Sequence, residues 1–247
     1  MEKHIAFITG GNRGIGFETA RQLGQLGIHV VIGARDKASG QAAVDRLREE
    51  HIASEAITFD VTSEADHKAA FDYFSSRHGR LDILVNNAGR HLEGEPGVEH
   101  RYSTSTLPMR VLRDTFEANF FGLIGVTTAL LPLLRQSAAG RIVNLSSILG
   151  SLSLHADPTS PIYAMKSAAY DSSKTAVNAY TIQLAYELRG SAIKVNAAHP
   201  GWVQTDMGGR AAPMGIKEGA QTSVILATLP AGGPTGGFFH LHDALPW

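Results

Sequence analysis

The chain has 247 residues, with 22 Lys+Arg against 23 Asp+Glu and a formal net charge of −1. That balance argues against a polyanion or an anionic membrane as partner, and with no cysteine there are no disulfides, no thiolate chemistry and no cysteine-ligated metal. The length fits one α/β domain over residues 1–247, large enough to bury a core without staples.

The chain starts MEKHIAFITG, which enters a strand-like run directly and lacks the long apolar stretch of a signal peptide, so a cytoplasmic protein is expected. Short β-branched runs follow in order: HIAFIT, HVVIGA, EAITFDV, LDILVNN, GRIVNLSS and IKVNAAHP. Between the first of them, residues 16–26, 41–50 and 65–77 carry apolar side chains three and four apart, a helical spacing. Several of the strand runs are almost continuously apolar, as parallel strands covered on both faces are. Together they predict a doubly wound parallel sheet of the Rossmann type with helices on both faces. The most apolar segment, 120–134, contains two threonines and a proline and is shorter than the ~18 uninterrupted residues of a membrane span. Residues 90–108 and 149–167 are the least regular, each follows a strand, and both are candidate pocket walls.

The stretch ITGGNRGIG puts four glycines between a strand and a helix. First-turn N–H groups have no intrahelical partner and the helix dipole favours negative charge, so such a turn suits a pyrophosphate. Glycines 10, 14 and 16 permit the tight turn and close backbone approach. Their spacing is Gly-x-x-x-Gly-x-Gly rather than the commoner Gly-x-Gly-x-x-Gly.

The chain resembles the short-chain dehydrogenase/reductase family, through motifs that occur in the family's order over nearly its whole length. The nucleotide motif reads Thr9, Gly10, Gly14 and Gly16, with Asn12, Arg13 and Ile15 between them. The resemblance implies cofactor contacts from Asp60 and Val61, from Asn87, Ala88 and Gly89 in NNAG, and from Pro200, Gly201, Val203 and Thr205 in HPGWVQTDM. It implies catalytic roles for Asn119 of ANFFG, Ser147 of NLSS, and Tyr170 and Lys174 of YDSSK, the last two also holding the cofactor. NFFG and the HPGWVQTDM segment are similar to the carbonyl-reductase branch. The gap from Ser147 to Tyr170 is longer than in many members, so the extra residues must loop out near the active site.

These residue types can do the chemistry. Reduction of a carbonyl needs a hydride on carbon, which a nicotinamide supplies, and a proton on oxygen. Tyr170 and Lys174, four apart in a helical pattern, project from one face about 6 Å apart along the axis. An ammonium there would lower the tyrosine pKa from ~10. Tyr163 and Lys166 have the wrong spacing. A hydroxyl from Ser147, favoured by the resemblance over its neighbour Ser146, would steady the developing alkoxide. Asn119 holds a water by resemblance, or is simply a helix-interior asparagine making a local hydrogen bond. Eleven histidines without an HExxH pair give no metal site; His91 and His155 are placed near substrate. Trp202, Met207, Ile162, Tyr163, Leu92 and Met109 suggest an apolar pocket lining.

The expected function is transfer of a hydride from NADPH to an aldehyde or ketone. An NAD-dependent alcohol dehydrogenase and a non-catalytic dinucleotide sensor are the alternatives. In VVIGARD the usual acidic ribose ligand is replaced by Ala34, followed by Arg35, whose planar fork suits a 2′-phosphate; Arg13 would reach it from the other side. Asp36 would favour NAD instead if the register were shifted by one. The expected partners are a small carbonyl compound and a second copy in a homodimer, formed by Phe120, Phe121 and Leu130 against Val177, Tyr180 and Leu184, with neither nucleic acid nor membrane.

Overall fold

The computed structural model of the chain describes residues 4–93 and 102–247. The part of the 90–108 stretch that falls on 94–101, and residues 1–3, lie outside them. Six parallel strands are where the apolar runs predict them: β1 (Ile5–Thr9), β2 (His29–Ala34), β3 (Ser54–Thr58), β4 (Ile83–Asn86), β5 (Arg141–Leu145) and β6 (Lys194–Ala198). Two further strands, β7 (Phe238–His240) and the antiparallel β8 (Asp243–Ala244), extend the sheet to the order β3-β2-β1-β4-β5-β6-β7-β8. The crossover between β1 and β4 places a crevice beyond their carboxyl ends, where open α/β sheets bind ligands.

Helices α1 (Gly14–Gln25), α2 (Lys37–Glu49) and α3 (Glu64–His78) fill the three predicted helical stretches. They are followed by α4 (Met109–Phe116), α5 (Gly122–Leu134), α6 (Leu152–Ala156), α7 (Ala168–Glu187) and α8 (Ile216–Ala227). On one face of the sheet Phe7, Leu84 and Ile142 pack with Phe74 of α3, Leu130 of α5 and Leu184 of α7. On the other, Ile8, Ile32 and Val143 pack with Leu23 of α1, Val44 of α2 and Leu226 of α8. Alternate residues of each strand thus feed opposite cores, which explains their unbroken apolar sequence.

Three expectations are corrected here. A π-helical turn, Glu117–Phe121, joins α4 to α5, so the apolar segment 120–134, expected to be too short for a membrane span, is part of one continuous helix from Met109. Its 26 residues are long and apolar enough to cross a membrane, and half of the most apolar window is buried within the chain's own fold. Leu130, Val177 and Leu184, expected at a dimer face, are core residues; the exposed apolar side chains on these helices are Phe121, Ile182 and Tyr186. Ile162, expected in the pocket lining, is buried as well.

Candidate active site

A cleft of about 1130 Å³ opens at the carboxyl ends of the strands. Gly10, Asn12, Arg13, Gly14, Ile15 and Gly16 form one wall, and Arg35, Asp60, Val61, Asn87, Ala88, Gly89 and Thr205 line the rest. The glycines are needed here. Gly10 and Gly14 have φ of 63° and 55°, and a β-carbon on Gly16 would lie 2.4 Å from the Asn87 side chain and from the Gly10 carbonyl. Arg13 makes no side-chain cap on α1, so that helix presents its first N–H groups to the cleft. Thr9 itself is buried: its hydroxyl accepts hydrogen bonds from the Asn87 and Ala88 N–H groups, both at 3.0 Å, and so ties the glycine turn to the end of β4. This backbone cradle fits a dinucleotide pyrophosphate.

Ser147 follows β5, and its side chain stands beside that of Tyr170 on the first turn of α7, near enough to act on its titration; its hydroxyl accepts the Leu149 N–H at 3.2 Å. Ser146 points elsewhere, donating to Asn178 Oδ1 at 2.6 Å in the interior. Lys174 is buried one turn beyond Tyr170; its ammonium donates to the Leu145 carbonyl at 2.6 Å and lies 5.7 Å from the centre of the Tyr170 ring. The expected lowering of the Tyr170 pKa by this ammonium is not found. Burial pushes the phenol up to about 12, against the opposing influence of the neighbouring Ser147 hydroxyl. Burial also brings Lys174 down to about 8.

Asn119, in the π-helical turn, is fully engaged. Its amide donates to the Arg90 carbonyl (2.9 Å) and to Ser173 Oγ (3.0 Å), and its oxygen accepts the Arg90 N–H (2.7 Å). Ser173 in turn donates to the Tyr170 carbonyl at 2.7 Å. Asn119 therefore fastens the segment after β4 to the helix that carries Tyr170. A β-carbon on Gly89 would be 3.2 Å from Asn119 Oδ1 and 3.7 Å from Lys174 Nζ, so the NNAG turn lies against both.

The structure brings these groups together with two partners that the sequence did not reveal. Glu93 is buried and accepts the Tyr170 N–H at 2.8 Å, capping α7 at the reactive residue. Asp171, next in the chain, accepts the Ser167 N–H through Oδ2 at 2.8 Å, while its Oδ1 is buried without a hydrogen-bond partner among the described residues. Neither has a motif; both act through contacts that only the fold creates. His91 packs edge-on against the Tyr170 ring, 4.9 Å between centroids. His155 does not serve as expected: its Nε2 meets the Leu149 carbonyl at 2.9 Å and its Nδ1 meets Lys166 Nζ at 3.0 Å, so it braces the insertion. The insertion folds as α6 and is also held by hydrogen bonds from Ser153 to the Trp247 carbonyl.

Burial, reinforced by the charge of Glu93, raises Asp171 from an ordinary 3.8 to about 7, while burial lowers His155, so their 3.4 Å contact carries little charge below neutrality. A carboxyl whose folded pKa exceeds its unfolded value contributes stability that is present below the unfolded pKa and lost as pH rises through the folded one. Asp171→Asn is therefore expected to be more stable than the parent by about 1.4 kcal/mol or more near pH 8, with the advantage shrinking towards pH 4, in urea denaturation at both values. An equal gain at both would show that ionisation is not the cause.

The short chain dehydrogenase family model matches residues 4–214. The chain belongs to that family. This short chain dehydrogenase is 34% identical over 274 aligned residues to carbonyl reductase [NADPH] 1 of Pongo abelii, covering 95% of each chain. It is 30% identical to (+)-neomenthol dehydrogenase of Capsicum annuum, again covering 95% of each. Among solved structures, NADPH-bound carbonyl reductase from chicken fatty liver aligns with a TM-score of 0.84 at 25% identity over the whole of both chains. Salutaridine reductase from Papaver somniferum aligns with a TM-score of 0.81 at 30% identity over 96% of this chain and 99% of that one.

Of the residues matched to this family's motifs, Thr9, Asn119, Ser147, Tyr170, Lys174, Pro200, Gly201 and Val203 do not line the cleft itself, although Leu145, whose carbonyl holds Lys174, does. Val203 is buried, and Gly201 makes the turn with φ of 87°. Thr205 does line it, its hydroxyl accepting the Gly208 N–H at 2.9 Å. Arg13 is paired with Asp206 at 2.5 Å across the cleft mouth. Arg90 and Arg210 also line the cleft and were not anticipated. Met207 lines it too, whereas Trp202, Tyr163, Leu92 and Met109 are exposed without lining it.

Proposed function

We propose that this protein is an NADPH-dependent reductase of aldehydes and ketones, a single cytoplasmic domain holding both cofactor and substrate. The observation that carries the reading is Lys174, fixed by the Leu145 carbonyl and 5.7 Å from the centre of the Tyr170 ring one turn away, beside a glycine cradle fitted to a dinucleotide. The relatives named as NADPH carbonyl reductases support it. Gly10, Gly14 and Gly16, with the N-terminus of α1, would hold the pyrophosphate, and Arg35 the adenosine end. When bound, NADPH supplies the hydride. Ser147 donates a hydrogen bond to the substrate oxygen and orients it. Tyr170 gives that oxygen its proton, and a pKa of about 12 keeps the phenol protonated at neutral pH, the form that reduction requires. Lys174, fixed by Leu145, supplies positive charge as the phenolate forms. Asn119 holds Lys174 and Tyr170 in register through Ser173 and the Arg90 backbone. Pairing of two copies through Phe121, Ile182 and Tyr186 belongs to the same reading.

The test is a panel of aldehydes and ketones with NADPH oxidation followed by absorbance. Saturable, carbonyl-dependent oxidation is expected. Tight NADPH binding with no turnover on any member would favour a dinucleotide sensor instead.

A further inference from the structure

His29, Glu55 and His78 stand at the far end of the sheet from the cleft. β2 runs from His29 to Ala34, so roughly 17 Å of strand separates His29 from the cleft-lining end. Glu55 pairs with Val31, which puts His29, two residues earlier, on the same sheet face as Glu55. Val31 packs with Phe74 of α3, so that helix covers this face, and α3 ends at His78. Three elements thus deliver two imidazoles and a carboxylate, with one ligand atom of each within 4.8 Å of the others.

The surroundings resemble a ligand set more than a closed hydrogen-bond network. Glu55 Oε2 is already held, accepting hydrogen bonds from the Tyr73 hydroxyl and from Arg77 Nη1, both at 2.8 Å. Its Oε1 faces inward, 3.1 Å from His29 Nε2. The His78 ring lies 5.5 Å from that of His29, and its Nε2 is buried with no hydrogen-bond partner among the described residues. A ligating carboxylate with its second oxygen fixed from outside is the arrangement that outer-shell partners give metal sites.

We propose that His29, Glu55 and His78 form a site for a borderline divalent transition metal of the zinc class, with water completing the coordination. Two imidazole nitrogens and one carboxylate oxygen suit zinc, whose bonds to them are roughly 2.0–2.2 Å; small side-chain rotations close the cluster to that size. The metal clips the edge strand β3 and its neighbour β2 to the end of α3, away from the reductase chemistry. The sequence gives no sign of it, because its ligands lie on three separate elements without motif spacing.

The experiment uses the full chain, stripped with chelator and dialysed against zinc chloride. Metal content is read by mass spectrometry, and affinity by calorimetry. Wild type is expected to retain a single equivalent more than His78→Gln or His29→Ala, with binding at least tenfold weaker in each variant. His242→Ala, outside the cluster, should bind as wild type does. Cobalt is the second probe: it should give visible bands of an ordered site in wild type and lose them in His78→Gln, whose fold is checked by circular dichroism. If wild type holds no more zinc than the variants, or if cobalt gives the same spectrum in all, the site does not exist.

Discussion

Tyr170→Phe is expected to lose at least nine-tenths of the carbonyl-reducing rate while NADPH still binds. The substitution removes one hydroxyl from the end of a ring that His91 and the first turn of α7 hold in place. Phenylalanine keeps that packing, so the loss is confined to the proton and to what the hydroxyl offers its neighbour Ser147. General acids contribute roughly 10²–10⁴-fold, and a residual rate above a tenth would mean less than ~1.4 kcal/mol of transition-state stabilisation. Stopped-turnover kinetics with a fluorescence titration of NADPH separate the two effects. More than a tenth of the rate remaining would remove Tyr170 as the acid. Lys174→Ala should be nearly as damaging and should weaken NADPH as well, because it deletes a buried cation and leaves the Leu145 carbonyl without its 2.6 Å donor.

Local signals explain what the sequence made legible. β1, β2, β4, β5 and β6 are buried on both faces, so their apolar runs are readable without knowledge of their neighbours. β7 and β8 are only three and two residues long, in GGFFHLHDA, and exist because β6 offers an open edge. The length of the helix after residue 108 is not legible from the apolar segment 120–134 alone, because the polar residues of α4 and the π-helical turn carry the same helix back to Met109. The site divides in the same way. The glycine turn and the Ser147, Tyr170 and Lys174 positions are motif-borne, each fixed by its own strand end or helix. Glu93, Asp171 and Asp206 matter through tertiary contacts, the last through its pairing with Arg13. The direction of the Tyr170 shift was also illegible, since it depends on burial that no spacing encodes.

The Arg13–Asp206 pair leaves Arg35 as the residue to distinguish the two dinucleotides. Arg35 follows β2 at the cleft, exposed, where a ribose-binding carboxylate would exclude a 2′-phosphate. Asp36, the alternative carboxylate, is taken: it caps α2, accepting the Ser39 N–H at 2.7 Å. Ala34, at the position of the usual acidic residue, brings no charge. Wild type is therefore expected to prefer NADPH over NADH by at least tenfold in kcat/KM, a discrimination of ~1.4 kcal/mol or more. Arg35→Ala should cut NADPH use far more than NADH use, because only the former loses a charge-assisted hydrogen bond to phosphate. Arg13→Ala should do less, since that guanidinium already neutralises Asp206. Ala34→Asp should raise NADH use in absolute terms, a gain that misfolding cannot produce. Steady-state kinetics with both cofactors on all four proteins decide the matter. Equal losses with NADPH and NADH in Arg35→Ala would mean that Arg35 binds the shared part of the dinucleotide, and that the 2′-phosphate is read by Arg13 or by another cleft cation such as Arg90 or Arg210.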